Sequence, residues 1–194
     1  MCRDGKLIPA NFLSSPDPTE LMKRIRPISF SLLAVTLLAL AGFACRPSFT
    51  PAPNPGGPAG WVFEDGKRAS VGDYTGKVLL LNFYATWCGP CRVEMPHLIA
   101  LHRKYEAEGL QIIGLNVGGE DDYAKVPAFK QELGIPFPLA IPDDAFVDRY
   151  LGVNQNIPQS FVIDRQGRIL KHFFGFSEES MREVETVVQA ALKK

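Results

Sequence analysis

The pattern of apolar and polar positions predicts an α/β domain over residues 61–194. Residues 78–84 are apolar at almost every position, which is typical of a strand buried on both faces of a parallel-containing sheet. A helical pattern follows over residues 88–106 and contains Pro96, which removes one backbone hydrogen bond and is expected to kink the helix. Residues 110–117 form the next apolar run, so the order strand, helix, strand predicts a parallel pair with a right-handed crossover.

Shorter elements are predicted on both sides of this unit. The Asp65-Gly66 pair between two short apolar runs is a strong β-hairpin signal. Beyond a polar loop at 118–123, the remaining patterns predict helices at 127–133 and 143–151, a strand at 137–141, and a hairpin with strands at 160–164 and 168–173. The last helix has one apolar face, made of Met181, Val184, Val187, Val188 and Ala191.

The N-terminal part of the chain has the pattern of an export signal. A basic cluster at residues 22–26 precedes an apolar run at 28–43, and these are the n-region and the h-region of such a signal. Residues 1–21 fit no part of it. Our hypothesis is that translation begins at Met22 and that the first 21 residues are a misassigned start.

Cys45 ends this region, so that residues 22–45 form a signal peptide or an anchor. The small residue Ala44 before Cys45 resembles the processing site of bacterial lipoproteins, in which the cysteine becomes the lipidated first residue. Gly42 departs from the leucine that is usual three residues before that cysteine. Cleavage after Ala44 and retention as an uncleaved membrane anchor remain the alternatives. Each of them delivers the domain outside the cytoplasm, to the periplasm or the outer face of the cell membrane.

Residues 46–60 contain five prolines among glycine and alanine. So many prolines exclude a helix and favour an extended polyproline geometry. We interpret this segment as a linker that holds the domain off a membrane.

The charge of the chain argues against one class of partner. Its 21 Lys and Arg are balanced by 21 Asp and Glu, and no basic stripe stands out. Binding to nucleic acid depends on such a stripe. We therefore expect no nucleic-acid partner.

The sequence Trp-Cys-Gly-Pro-Cys at residues 87–91 lies where the central strand ends and the helix begins. Unpaired backbone N–H groups and the helix dipole stabilise a thiolate at this place, so the pKa of Cys88 is expected to fall from about 8.5 toward about 7 or lower. Cys91 lies one turn inside the helix and is less exposed. It is placed to attack a mixed disulfide that Cys88 has formed.

Two other interpretations of the cysteine pair are a zinc half-site and an inert structural disulfide. Zinc needs two further ligands, and His97, His102 and His172 form no ligand pattern, so they are interpreted as surface or partly buried residues. A structural bridge that closes so small a loop constrains the unfolded chain little. The spacing therefore favours a redox-active pair, with no metal and no cofactor other than its own disulfide.

With Ile157-Pro158 ahead of the last hairpin, residues 61–192 resemble the thioredoxin fold. Residues 81–96, together with the added segment between Val117 and Leu139, are similar to the TlpA-like (ResA-type) thiol:disulfide oxidoreductases, which are exported and membrane-tethered. The resemblance implies a central mixed sheet flanked by helices, with an N-terminal hairpin extension and an inserted helical segment.

The resemblance also implies roles for residues around the cysteines. Pro158, preceded by Ile157, matches the family's cis-proline, which faces the two cysteines and accepts the substrate backbone. Trp87, Gly89 and Pro90 match the active-site loop of thioredoxin itself, which accompanies a reducing potential.

A proton acceptor is implied as well. Thioredoxin carries a buried Asp at the position of Asn82, and an amide cannot take up that proton. Glu94, three residues after Cys91, matches the acidic residue that TlpA-like proteins carry on this helix. We predict that burial raises the pKa of Glu94 and that it relays the proton that Cys91 loses before it attacks. A solvated helix carboxylate is the alternative.

The function implied by the resemblance is a monomeric reductase that passes electrons from the thiols of a membrane donor to a substrate protein disulfide, such as that of an apocytochrome c. One alternative is a copper(I)-handling protein, for which Met95 supplies the only nearby thioether. Another is a thiol peroxidase of the same fold. That family needs Thr three residues before the reactive Cys and Pro four before that, where this chain has Ala85 and Leu81.

Overall fold

The computed structural model describes residues 59–194, which build one mixed β-sheet with helices on both faces. The predictions for residues 1–58, which include the start at Met22, the export signal, the lipidation of Cys45 and most of the linker, lie outside the described residues. Within residues 59–194, no helix is long and apolar enough to cross a membrane.

Seven strands form the sheet. They are β1 (Trp61–Phe63), β2 (Arg68–Ala69), β3 (Val78–Tyr84), β4 (Leu110–Asn116), β5 (Leu139–Pro142), β6 (Gln159–Ile163) and β7 (Ile169–Phe174). Their order across the sheet is β2-β1-β5-β4-β3-β6-β7. The neighbours β3, β4 and β5 are parallel, and the other pairs are antiparallel.

Five α-helices connect or follow these strands. They are α1 (Gly89–Tyr105), α2 (Glu120–Tyr123), α3 (Val126–Leu133), α4 (Asp144–Tyr150) and α5 (Glu178–Leu192). The segment between β4 and β5, which carries α2 and α3, is the predicted inserted helical segment. The hairpin of β1 and β2 is the predicted N-terminal extension, with Gly66 at φ 81° in its turn.

The central strand β3 is buried at all seven positions. Its side chains alternate between two apolar clusters, so that Leu80 and Tyr84 face α1 and α5, whereas Leu79 and Phe83 face α4. The same alternation places Asn82 on the α1 face. A polar side chain of the central strand is thereby directed at the helix that begins with the cysteine pair.

Most predicted elements are confirmed, with shifts at their ends. The helix predicted at 88–106 is observed as α1 and continues through Pro96. The polar loop predicted at 118–123 is wrong in part, because a turn at Gly119 starts the short helix α2. The strand predicted at 137–141 begins only at Leu139, since Pro138 has no N–H to donate to the sheet. On α5, Val187 is half-buried and the rest of its predicted apolar face is buried.

Candidate active site

The two cysteines lie at the carboxyl end of β3 and form a disulfide. Cys88 is the N-cap residue of α1, and its Sγ accepts a hydrogen bond from the backbone N–H of Cys91 at 3.2 Å. Pro90 fits in the first helical turn because the missing N–H has no intrahelical partner there. Cys88 is 5% exposed and Cys91 is fully buried, so Cys88 is the sulfur that a substrate reaches first.

The loop before β6 contacts the disulfide at Cys88. The Ile157–Pro158 peptide bond is cis, the isomer that the family resemblance implied. The carbonyl oxygen of Ile157 lies 3.9 Å from Sγ of Cys88. The structure therefore brings together residues that are 69 positions apart in the chain.

Glu94 lies on the buried face of α1, one turn after Cys91, and is 2% exposed. Its Oε2 accepts a hydrogen bond from Nδ2 of Asn82 at 2.8 Å, and its Oε1 lies 3.4 Å from Oγ of Ser160. Burial raises the pKa of Glu94 to about 7, although the hydrogen bonds from Asn82 and Ser160 act to lower it. A buried carboxyl with this pKa can hold or release a proton near neutral pH.

Asn82, to which the sequence assigned no role beyond its inability to take up a proton, contacts the acid in the structure. Its Nδ2 donates to Glu94 and also to Oγ of Ser160 at 3.0 Å, so it orients the acid instead of replacing it. Ser160 was missed by the sequence argument. It lies directly opposite Asn82 in the pairing of β3 and β6, and nothing in one sequence gives that register.

Gln159, the residue after the cis-proline, was also missed. It is 2% exposed, and its Nε2 donates to the carbonyls of Asn154 and Asn156 at 2.8 and 2.7 Å. With both amide hydrogens used, Oε1 acts as the acceptor toward Nε2 of His172 at 2.8 Å, so His172 carries its proton on Nε2. Gln159 thus fixes the loop that carries Ile157.

Two aromatic side chains near the active-site loop and the cis-proline are exposed. Trp87 is 65% exposed and Phe174 is 55% exposed. Phe174 pairs with Gln159 across β6 and β7, and the next residue, Gly175, donates its N–H to the carbonyl of Pro158 at 2.9 Å. Trp87 thus lies next to the cysteine pair in the chain, and Phe174 lies beside the strand that begins after the cis-proline.

The other histidines lie on helices. His97 lies 3.4 Å from Glu178, and His102, which is buried rather than partly exposed, lies 3.3 Å from Glu106. Among residues 59–194 there is no group of three or more His, Cys, Asp or Glu side chains arranged to hold a metal ion.

The known proteins to which this chain is similar are named for thiol:disulfide chemistry, in agreement with the disulfide at the start of α1. Residues 50–172 match the AhpC/TSA family. The chain is 36% identical over 121 residues to the thiol-disulfide oxidoreductase ResA of Bacillus anthracis, covering 62% of this chain and 67% of the relative. It is 33% identical over 123 residues to ResA of Bacillus subtilis, with the same coverage of each. A crystal structure assigned as the thiol:disulfide interchange protein DsbE of Chlorobium tepidum superposes with a TM-score of 0.61 and 30% identity, over 73% of this chain and 99% of that one.

Proposed function

Because this chain belongs to the AhpC/TSA family and is a thiol:disulfide oxidoreductase of the thioredoxin fold, we propose that it acts as a reductant of protein disulfides outside the cytoplasm. In the first step, the Cys88 thiolate attacks one sulfur of a substrate disulfide, forms a mixed disulfide and releases a substrate thiolate. In the second, the Cys91 thiolate attacks Sγ of Cys88 and releases the other substrate thiolate. The product is a dithiol substrate and the Cys88–Cys91 disulfide.

The buried carboxyl of Glu94, with its raised pKa, is the observation that supports this mechanism. Cys91 is fully buried, so its thiol has no direct contact with water to which it could lose its proton. The carboxyl of Glu94 lies one helical turn away on the same buried face, and its pKa of about 7 lets it accept a proton near neutral pH. Cys88 is the nucleophile, Cys91 the resolving cysteine and Glu94 the proton relay, while Pro158 and Ile157 receive the substrate backbone.

The relatives guide the biological role. We propose a protein tethered to a membrane by its N-terminal region, with Cys45 as the lipidated residue, and reduced by the thiols of a membrane donor. The substrate that fits this setting is the oxidised cysteine pair of an apocytochrome c that awaits haem attachment. The export pattern of residues 22–45 and the relatives named ResA and DsbE support this assignment.

The experiment that tests the direction of electron flow is the reduction potential of the Cys88–Cys91 pair, measured by equilibration of the purified protein with dithiothreitol or glutathione buffers. A reductant has a potential of about −270 mV, as thioredoxin has, or a more negative one. A value near about −120 mV, as in an oxidant that installs disulfides, contradicts the proposal.

Assays on the same purified protein distinguish the possible functions of the cysteine pair. Reduction of insulin disulfides without binding of copper(I) favours the reductase over a copper carrier. Peroxide reduction is not expected, because Ala85 is buried and has no hydroxyl to hold a peroxide at Cys88. Robust turnover of peroxide by the Cys91→Ser variant would contradict this expectation.

A further inference from the structure

Asp122 is a buried carboxylate that the exchange reaction does not use. It lies on α2, in the inserted segment, and is 1% exposed. Its Oδ2 accepts hydrogen bonds from the backbone N–H of Thr86 and from Nδ2 of Asn116, both at 2.9 Å, and its Oδ1 accepts one from the Thr86 hydroxyl. Two of these three hydrogen bonds reach the residue that stands two positions before Cys88.

The backbone at Gly118 packs closely against the Asp122 side chain. A Cβ added at Gly118 would overlap the Asp122 side chain, so the backbone approaches the carboxylate as closely as glycine allows. The Gly118 N–H donates in turn to Oδ1 of Asn116 at 2.9 Å. Burial alone would raise the pKa of Asp122, but the hydrogen bonds from Thr86 and Asn116 hold it below its usual range, which keeps the group an acceptor.

Thr86 is also held through its carbonyl oxygen. Nη1 of Arg92 donates to the carbonyl oxygen of Thr86 at 3.3 Å. The inserted segment also contacts Arg92. Its guanidinium group forms an ion pair with Glu132, and its Cζ atom lies 5.3 Å from the ring centre of Phe129. Both partners are on α3. The inserted segment therefore contacts the N–H of Thr86 directly, and it contacts Arg92, the residue that binds the Thr86 carbonyl.

Thr86 belongs to the turn that leads into the active site. A hydrogen bond from the N–H of Cys88 to the carbonyl of Ala85, at 3.2 Å, closes this turn. Trp87, the other residue inside it, is 65% exposed, so its side chain adds little packing. The orientation of Cys88 toward Cys91 thus depends on how firmly Thr86 is anchored.

We propose that Asp122 is a positioning residue for thiol:disulfide exchange, and that it fixes the turn carrying Cys88 through its hydrogen bonds to Thr86. A firmly held turn keeps the Cys88 sulfur close to Cys91, which raises the effective concentration of one sulfur at the other. Loss of this anchor makes the intramolecular disulfide less favourable. The inference depends on the exchange reaction and not on its direction.

The test compares variants that remove the hydrogen bonds with variants that keep them. Asp122→Ala removes all three, and we expect the equilibrium constant against glutathione to move about tenfold toward the dithiol, which is about 30 mV less negative for a two-electron couple. Thr86→Val removes only the hydroxyl and is expected to give about a threefold change. The double variant should change no more than Asp122→Ala does, because both act on one contact.

Conservative substitutions at the same two positions should preserve the redox equilibrium. In Asp122→Asn, the amide oxygen can accept from the Thr86 N–H and from Asn116 while the amide nitrogen donates to the Thr86 hydroxyl. Asp122→Asn and Thr86→Ser should therefore stay within about twofold of the wild-type constant. If Asp122→Asn behaves like Asp122→Ala, the carboxylate acts through its charge and the inference is wrong.

Asp164→Ala is the matched control. Asp164 is also buried and accepts three hydrogen bonds from Gln166 and Arg168, but it follows β6 beside the start of β3, at the end of the strand away from Cys88. It should lower the free energy of unfolding and leave the redox equilibrium unchanged. An equal redox shift in Asp164→Ala and Asp122→Ala would overturn the inference.

Two features keep the test decisive. If Asp122→Ala fails to fold, the pair Thr86→Val and Thr86→Ser decides alone, since neither variant creates a large cavity. The wild-type potential, read in the same titration, tests the direction of electron flow, whereas the differences between variants test the role of Asp122.

Discussion

Replacement of Glu94 by Gln is the most direct test of the mechanism, because Gln has the shape of the protonated acid. Its amide oxygen can still accept from Nδ2 of Asn82, and its amide nitrogen can donate to Oγ of Ser160. The variant therefore keeps the packing and hydrogen bonds of the site and removes only the titratable group.

The stability effect can be worked out from the pKa. The rise in pKa from the ordinary 4.5 to about 7 corresponds to about 3 to 4 kcal/mol, at about 1.4 kcal/mol for each pH unit. Between these two pH values, the folded protein retains a proton on Glu94 that the unfolded chain has lost. The free energy of unfolding therefore falls as pH rises from about 4.5 to about 7, and this contribution is constant on either side.

The assay is urea unfolding of the oxidised protein at several pH values, since disulfide-bonded cysteines do not titrate. We expect the difference in free energy of unfolding between Glu94→Gln and wild type to shift by about 3 to 4 kcal/mol in favour of the variant as pH rises from about 4 to about 8. Other groups, such as His172, cancel in this comparison because both proteins contain them. In the reduced protein, resolution of the mixed disulfide should slow about 10²-fold and lose its ionisation near pH 7.

Two results would refute this reasoning. Parallel stability curves for the oxidised wild type and the Glu94→Gln variant would show that Glu94 is not a buried acid with a raised pKa. An unchanged pH profile of exchange would show that Glu94 does not relay the proton of Cys91. A stability difference without a kinetic change would leave Glu94 as a structural acid and remove it from the mechanism.

Three further predictions follow from the site and the sheet. Cys91→Ser should accumulate a mixed disulfide at Cys88 when the reduced protein meets a disulfide substrate, visible as a mass increase, whereas Cys88→Ser should accumulate none. Gln159→Leu removes the amide that holds the loop before the cis-proline, so it should lower the free energy of unfolding by about 2 kcal/mol and raise KM for a protein substrate, while alkylation of Cys88 keeps its rate. Gly114→Ala places a Cβ against the side chain of Leu139 and should lower the free energy of unfolding by about 2 kcal/mol, measured by urea titration.

Much of the fold could be predicted from the sequence because its signals are local. The continuous apolar run of β3 predicted a strand buried on both faces, and all its residues are buried. The cysteines at the start of α1 and the order of strand, helix and strand predicted the place of the disulfide at a strand's carboxyl end. Errors concentrate in the inserted segment, where α2 is too short to have a periodic pattern of its own.

The tertiary structure determines what surrounds the carboxyl groups of Glu94 and Asp122. The sequence by itself identified Glu94 through a family resemblance, but its partner Ser160 becomes visible only when β6 pairs with β3. Likewise, the sequence placed Asp122 in a polar loop, and only the folded chain brings it to Thr86, 36 residues away. The reason is physical: strand periodicity and helix capping act between neighbours, whereas the desolvation and hydrogen bonds that set a buried carboxyl's pKa come from residues distant in the chain.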